Sequence, residues 1–439
     1  MTALKILIIS FEFPPYGAIG AVRVGKTAKY LRQFGHDVHV VCAGDRPLDT
    51  PHVVELEPQR IHYTSWRRAD SLLKFAVRSL RSRTGAPDGQ VLGRTTPSGP
   101  RRAGRATKIA RLYQNLVYLP DAEIGWALPA MRECRTLQKS FRPDIILASG
   151  RPWTGLLVAR LVARHFRIPL VCELRDLWAD DMYAIERPNW REKIDQIIER
   201  WVLRRAHALI TVSEPLASVL QQKYNVPTVV ALNGYDPDDQ DIETRVTPTD
   251  ELRLVYTGSL FEQRDLRPLI RAIAVLRGEQ VACRLDVAGH VGPPTYLNEL
   301  QELCDALHVD DRVRFLGQLP RTKALELQAH ADVLVLVTWN DPREHGVYTG
   351  KLFEYVGSKR PILLVGLTTG VAAELLRSRG LGEAGGDELT LASLLRTWHD
   401  EKRVNGRLQA PPPEARIGLT REEQTRVIEA LLLKTGQQS

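Results

Sequence analysis

In the stretch Tyr348 to Val365, YTGKLFEYVGSKRPILLV, a lysine and a carboxylate stand at the entrance of a glycine-bordered helix. Leu352, Phe353 and Val356 fall at helical spacing, with Glu354 off that apolar stripe. Pro361 then stops the helix, because it lacks the backbone donor and its ring restrains the residue before it. PILLV follows as a short continuous apolar run, the pattern of a strand buried on both faces of a parallel sheet. Gly346 and Gly350 put flexible, closely approachable backbone at the helix entrance. A helix N-terminus offers unpaired N–H groups and the positive end of its dipole, so it favours anions. A phosphate donor there would be held by backbone and by Lys351. Glu354 would accept hydrogen bonds from a sugar or ribose hydroxyl. Taken alone, Glu354 also fits a solvated helix carboxylate.

At these residues the chain resembles the retaining, nucleotide-sugar-dependent glycosyltransferases of family 4, which have the GT-B fold. The resemblance implies that Glu354 binds the donor ribose and that Lys351 and Leu352 belong to the donor site. The family often carries a second glutamate eight positions earlier, which contacts the donor sugar. Here that position is Gly346, with Glu344 and His345 close by but out of register.

The elements that would position these groups alternate along the whole chain. Leu4 to Ser10 is a buried-strand run, then a loop with Gly17 and Gly20, then a helix through Val24, Ala28 and Leu31 that Gly35 caps. Asp37 to Ala43 is the second strand, which makes a β-loop-α-β opening of a doubly wound sheet. Gly17 and Gly20 lie where ligands bind in such sheets, beyond the carboxyl end of a strand. They lack the G-x-G-x-x-G spacing of a dinucleotide site, and a plain connecting turn is the competing reading. In the resembled family this loop borders the donor diphosphate and the acceptor. Leu170 to Asp181 is a strand with a polar exit, which places Glu173, Arg175, Asp176 and Trp178 at a cleft rim. The family commonly has His-Asp here, the His near the reaction centre. Arg175 and Asp176 take that place, a variant associated with lipid-linked or polysaccharide acceptors; a structural ion pair is the bland alternative. In His207 to Leu220, strand, Ser N-cap and helix follow one another. Asp236-Pro237-Asp238 spells D-x-D but follows Asn-Gly, which is turn and linker chemistry. Leu252 to Leu260 opens a second domain, its strand ended by Gly258. In the family the next loop carries Arg and Lys that hold the diphosphate. Ser259 and Arg264 occupy those places, and arginine can clamp phosphate bidentately.

At 439 residues the chain favours two or three domains, drawn here as 1–240 and 250–439. Five scattered cysteines without C-x-x-C spacing argue against a disulfide framework and a zinc site. A net charge of +8 suggests an anionic partner, and no nucleic-acid-binding signature accompanies it. Between Trp66 and Leu80 a plotted helix separates Arg67, Lys74, Arg78 and Arg81 from an apolar face that includes Trp66. That pattern suits an anionic membrane interface, or equally a helix packed on its own domain. Gly85 to Gly104 has the composition of a mobile loop. No apolar run approaches the about 20 residues that span a bilayer, and the N-terminus lacks a signal peptide's features. The expectation is therefore an α/β GT-B protein, two doubly wound domains facing across a cleft. It would transfer a sugar from a nucleotide-diphosphate donor to a hydroxyl acceptor, lipid-linked or polysaccharide. It would need no metal and no resident cofactor, and would work in the cytoplasm, docked peripherally on the membrane. The alternatives are a nucleotide-sugar 2-epimerase of the same fold and a non-catalytic nucleotide-binding subunit.

Overall fold

The structure, a computed structural model, describes residues 3–44, 52–66, 115–180, 188–240 and 249–437. It divides into two units. The first comprises Met1–Thr211, Ala217–Val230 and Val427–Ser439, and the second Val212–Leu216 and Ala231–Arg426.

The first unit holds seven parallel strands: β1 Lys5–Ser10, β2 Asp37–Ala43, β3 Ile61–Thr64, β4 Ile145–Gly150, β5 Leu170–Leu174, β6 Ala208–Thr211 and β7 Thr228–Val230. Their order is β3-β2-β1-β4-β5-β6-β7. Continuous apolar runs such as Ile6 to Ile9 and Ile145 to Ala148 are buried throughout, as parallel strands covered on both faces must be. The order reverses between β1 and β4, and ligands of doubly wound sheets bind beyond the strand ends at such a reversal. Helix α1, Ile19–Gln33, begins earlier than the periodicity from Val24 suggests, because Gly20 and Ala21 are also buried against the unit. Gly20 thus belongs to the first turn of a helix and not to the loop before it, while Gly17 stays exposed in that loop. Gly35 follows the helix at φ +94°, the left-handed exit that glycine favours. Helices α2 Ala127–Leu137, α3 Thr154–Phe166, α4 Asn189–Leu203 and α5 Glu214–Tyr224 complete the alternation. Trp66, read from the sequence as the end of an interfacial helix, is half-buried, with its ring 4.9 Å from that of Phe11, edge to face. Arg67, Lys74, Arg78, Arg81 and the Gly85 to Gly104 loop lie outside the described residues.

The second unit repeats the plan. Strands β8 Leu252–Thr257, β10 Cys283–Ala288, β12 Val313–Gly317, β13 Val333–Val337, β14 Ile362–Val365 and β15 Gly382–Gly385 lie in the order β12-β10-β8-β13-β14-β15, with the reversal between β8 and β13. Beyond the ends of β8 and β10 the chain pairs again as a short ribbon, β9 Leu260–Phe261 with β11 Val291–Gly292. Gly258 and Gly289 make this second pairing feasible. Both have φ +135°, and a Cβ on Gly289 would sit 2.0 Å from the Gly258 carbonyl oxygen. The helices are α6 Arg267–Gly278, α7 Pro294–Ala306, α8 Arg321–Ala329, α9 Gly350–Gly357, α10 Val371–Arg379, α11 Glu388–Asn405 and α12 Arg421–Gln437. Asp236-Pro237-Asp238 is a turn: the Asp238 N–H donates to Asp236 Oδ1 at 3.1 Å as a 3-10 helix, Pro237–Gln240, begins.

The final turns of α12 are counted with the first unit. His36 Nδ1 accepts the Leu4 N–H at 3.1 Å, which leaves Nε2 as the protonated nitrogen to donate to Glu429 of α12 at 3.0 Å. All five cysteines are buried and free. Burial pushes the thiols of Cys134, Cys172 and Cys283 up to about 12, so they behave as small hydrophobes. Among the described residues no helix is long and apolar enough to cross a membrane.

Candidate active site

In the second unit Gly258, Lys351 and Glu354 come together at the β8–β13 reversal. Helix α9 is anchored by Leu352, Phe353, Tyr355 and Val356, which are buried in the core. Leu352 packs in that core: its side chain is fully buried and its N–H is bonded to the Thr349 carbonyl at 3.2 Å. Thr349 occupies the N-cap position but makes no side-chain cap bond, so the first N–H groups of α9 have no capping oxygen. Lys351 leans across the end of β8; a Cβ on Gly258 would meet its Cε at 2.6 Å. Its ammonium lies 3.7 Å from Glu354 Oε1. The Glu354 carboxylate is held in turn by Gln328 Nε2 at 2.7 Å. Tyr355, the next residue, is buried and takes the Thr257 N–H at 2.9 Å, which ties α9 to the last residue of β8. Burial pushes its hydroxyl well above the ordinary tyrosine value, so it stays neutral. Arg264 stands between β9 and α6 and has no acidic partner within ion-pair distance among the described residues, whereas Arg267, three residues on, is paired with Asp265 at 2.8 Å. Ser259 is exposed, and its carbonyl accepts the Tyr256 hydroxyl at 2.8 Å.

Gly346 is buried in the turn before α9. A Cβ there would lie 2.8 Å from Leu216 Cδ1 and 3.1 Å from Pro215 Cβ, and its carbonyl accepts the Ser213 hydroxyl at 2.6 Å. Ser213 stands just before the helix Glu214–Tyr224, as the sequence reading has it. A side chain at Gly346 would have to displace Leu216 and press on Pro215. Nearby Glu344 is buried, with Oε2 accepting the Trp339 N–H at 3.1 Å, so it braces the loop. His345 is exposed.

In the first unit the β1–β4 reversal gathers Gly20, Glu12, Arg151, Arg175 and Asp176. Arg175 Nε donates to the Gly150 carbonyl at 3.0 Å and Nη2 to the Arg151 carbonyl at 2.6 Å, across the end of β4. The guanidinium fills the space above Gly20, where a Cβ would lie 1.8 Å from Nη1, and Nη2 is 3.8 Å from Glu12 Oε2. Asp176 faces Arg151 at 4.0 Å. Two expected rim residues are interior. Glu173 is buried in β5, with Oε1 accepting Arg23 Nε at 2.9 Å and Oε2 the Ser149 hydroxyl at 2.5 Å. Burial pushes its carboxyl up, but the Arg23 charge and the Ser149 hydrogen bond outweigh that and hold it below the ordinary value. Trp178 is buried and stacks on Trp153, centroids 5.1 Å apart and planes at 5°. Glu173 lies inside β5, which ends at Leu174, and Trp178 turns back into the core after the strand.

Sequence reasoning missed Gln328, Thr257, Glu12 and Arg151. Gln328 ends a helix with no motif around it. Gly289, also missed, was open to the same reasoning that found Gly258, since it too ends a strand run.

The chain matches two family models, one described as glycosyl transferase 4-like domain over residues 20–236 and one as glycosyl transferases group 1 over residues 251–397. It is 23% identical over 278 residues to a 2-deoxystreptamine glucosyltransferase of Streptomyces kanamyceticus, covering 59% of this chain and 69% of the relative. Similar solved structures include Anabaena HepE in complex with UDP and glucose, at TM-score 0.61 and 16% identity over 98% of this chain and 100% of that one. A glycosyltransferase from Rickettsia africae superposes at TM-score 0.59 and 13% identity, covering 100% of each chain. At such identities the structural likeness speaks for the fold, and the two family models speak for the activity. The chain belongs to the glycosyltransferases of GT-B fold, with a glycosyl transferase 4-like domain followed by a glycosyl transferases group 1 domain.

Proposed function

We propose that this enzyme transfers a sugar from a nucleotide-diphosphate donor, bound at the β8–β13 reversal, to a hydroxyl acceptor that is lipid-linked or a polysaccharide intermediate. One observation carries the reading: Lys351 lies across Gly258 beside the uncapped start of α9, with Glu354 3.7 Å from its ammonium. That places a cation and unpaired N–H groups on one side of a carboxylate, the arrangement a nucleoside diphosphate needs. The diphosphate takes Lys351, Arg264 and the helix start, and a ribose hydroxyl donates to Glu354. As the sugar departs, negative charge builds on the diphosphate, and the same groups stabilise it without a metal ion. Transfer with retention is the outcome expected of relatives sharing this donor site. Arg175 and Asp176 in the first unit are the residues proposed near the reaction centre. The match to a glucosyltransferase and the likeness to a UDP complex make UDP-sugars the donors to try first.

The basic residues Arg67, Lys74, Arg78 and Arg81 are proposed to hold the enzyme on the inner face of the membrane, where a lipid-linked acceptor would lie. The net charge of +8 supports this reading. The test of the whole is calorimetry with UDP and GDP followed by Glu354→Gln. An amide meets the hydroxyl donors only partly, so affinity falls while the fold persists. Unchanged affinity removes Glu354 from the site.

A further inference from the structure

Gln328 is the last but one residue of α8, 2% exposed, and its side chain bonds residues 26 to 71 positions away. Its amide is fully engaged. Nε2 donates to Glu354 Oε1 at 2.7 Å and to Thr257 Oγ1 at 2.8 Å, and Oε1 accepts the Ser358 hydroxyl at 3.3 Å. A primary amide has two N–H donors, and both are used. The orientation is determined by charge, since the flipped amide would press its carbonyl oxygen against a carboxylate. This one side chain of α8 joins two other elements: Thr257 closes β8, and Glu354 and Ser358 are a residue and the C-cap of α9. Lys351 approaches the same Oε1 from the other side, at 3.7 Å.

We propose that Gln328 is a positioning residue for the donor's ribose. It holds the Oε1 edge of Glu354 and so sets the plane in which that carboxylate meets the ribose hydroxyls. Through Thr257 it also fixes Glu354 relative to Gly258 and the diphosphate side of the site. This rests on Glu354 being the ribose carboxylate, and it goes further: Glu354 without Gln328 binds nucleotide but no longer distinguishes ribose from deoxyribose. A carboxylate released from a buried donor rotates, and the geometry that rewarded a 2′-hydroxyl is lost.

A purely structural Gln328 would weaken every nucleotide alike, so the readout is a ratio. UDP, GDP and ADP are titrated by calorimetry into the full-length protein, and the tightest is compared with its 2′-deoxy counterpart. Wild type is expected to favour the ribonucleotide by on the order of tenfold, one hydrogen bond to a charged group. Gln328→Met, similar in volume and without the amide, is expected to bring the ratio to within about twofold of one. In a Glu354→Gln background the same change is expected to do nothing more, because both act through one carboxylate. If Glu354→Gln leaves the ratio untouched, the assignment of Glu354 fails. If Glu354→Gln collapses the ratio and Gln328→Met preserves it, Gln328 is structural only and the proposal is overturned. Where Gln328→Met does not fold, Gln328→Asn keeps a polar amide in the pocket but withdraws it by one methylene, and the same two outcomes decide.

Discussion

Gly20 is glycine because Arg175 occupies the place of its side chain, and that can be tested by adding one methyl group. A Cβ at Gly20 would lie 1.8 Å from Arg175 Nη1, 2.5 Å from Cζ and 2.4 Å from Glu12 Oε2. The guanidinium has to leave, and with it the bonds to the Gly150 and Arg151 carbonyls at 3.0 and 2.6 Å. Each hydrogen bond to a charged group contributes about 1.5–3 kcal/mol. Partial rehydration of the displaced guanidinium offsets some of this, since its side chain is 14% exposed already. Alanine in place of glycine in a helix returns about 0.5–1 kcal/mol. The net loss for Gly20→Ala is then about 2–4 kcal/mol, or roughly 4–16 °C for a domain of this size. In an Arg175→Ala background the guanidinium clash is gone and only the flexible end of Glu12, at 2.4 Å, still has to move, so the same change should cost less by about 1.5 kcal/mol or more. Thermal unfolding of the four proteins, followed through the transition of the first unit, measures the coupling. If Gly20→Ala destabilises both backgrounds equally, the methyl and the guanidinium do not compete and the packing described for the β1–β4 reversal is wrong.

Lys351→Ala and Arg264→Ala should each slow sugar transfer on the order of 10²-fold through lost diphosphate stabilisation. EDTA should leave the wild-type rate unchanged, and activity lost in EDTA and restored by magnesium or manganese would overturn the metal-free mechanism. Glu173 titrates below its ordinary 4.5 in the folded protein, so its ion pair with Arg23 stabilises above that pH and the contribution is lost as pH falls through the folded value. Glu173→Gln should therefore destabilise by about 3–5 kcal/mol at pH 7, with the gap to wild type closing below pH 4.5, as melting curves across pH would show. Changing Arg67, Lys74, Arg78 and Arg81 together to Glu should abolish sedimentation with anionic liposomes at low salt and leave the melting temperature near that of wild type, since each basic residue contributes about 1 kcal/mol at such a surface. Wild-type protein that ignores those liposomes would refute docking.

Both sheets were legible because parallel strands buried on two faces leave continuous apolar runs, as in LKILIIS and PILLV. The helix–break–strand pattern around Glu354 was legible for the same reason, with Pro361 as punctuation. Polar residues inside such elements were harder. Glu173 looked like a cleft carboxylate because its partner, Arg23, lies 150 positions away on α1. Trp178 was assigned to the surface because nothing in its neighbourhood announces Trp153. Leu352 is assigned to the donor site by resemblance, and its side chain lies in the core because a helix turns consecutive residues about 100° apart. Gln328 left no trace at all, since its meaning comes only from partners 26 to 71 positions away on β8 and α9.

Amide hydrogen exchange with and without a UDP-sugar locates the donor most directly. The first N–H groups of α9 have no capping side chain in the free protein, so they should exchange rapidly until a diphosphate accepts from them. Saturating donor is predicted to protect Gly350 and Lys351 together with Ser259, and to lose that protection in Lys351→Ala. Protection confined to other segments, with the start of α9 exchanging as fast as before, would place the donor elsewhere.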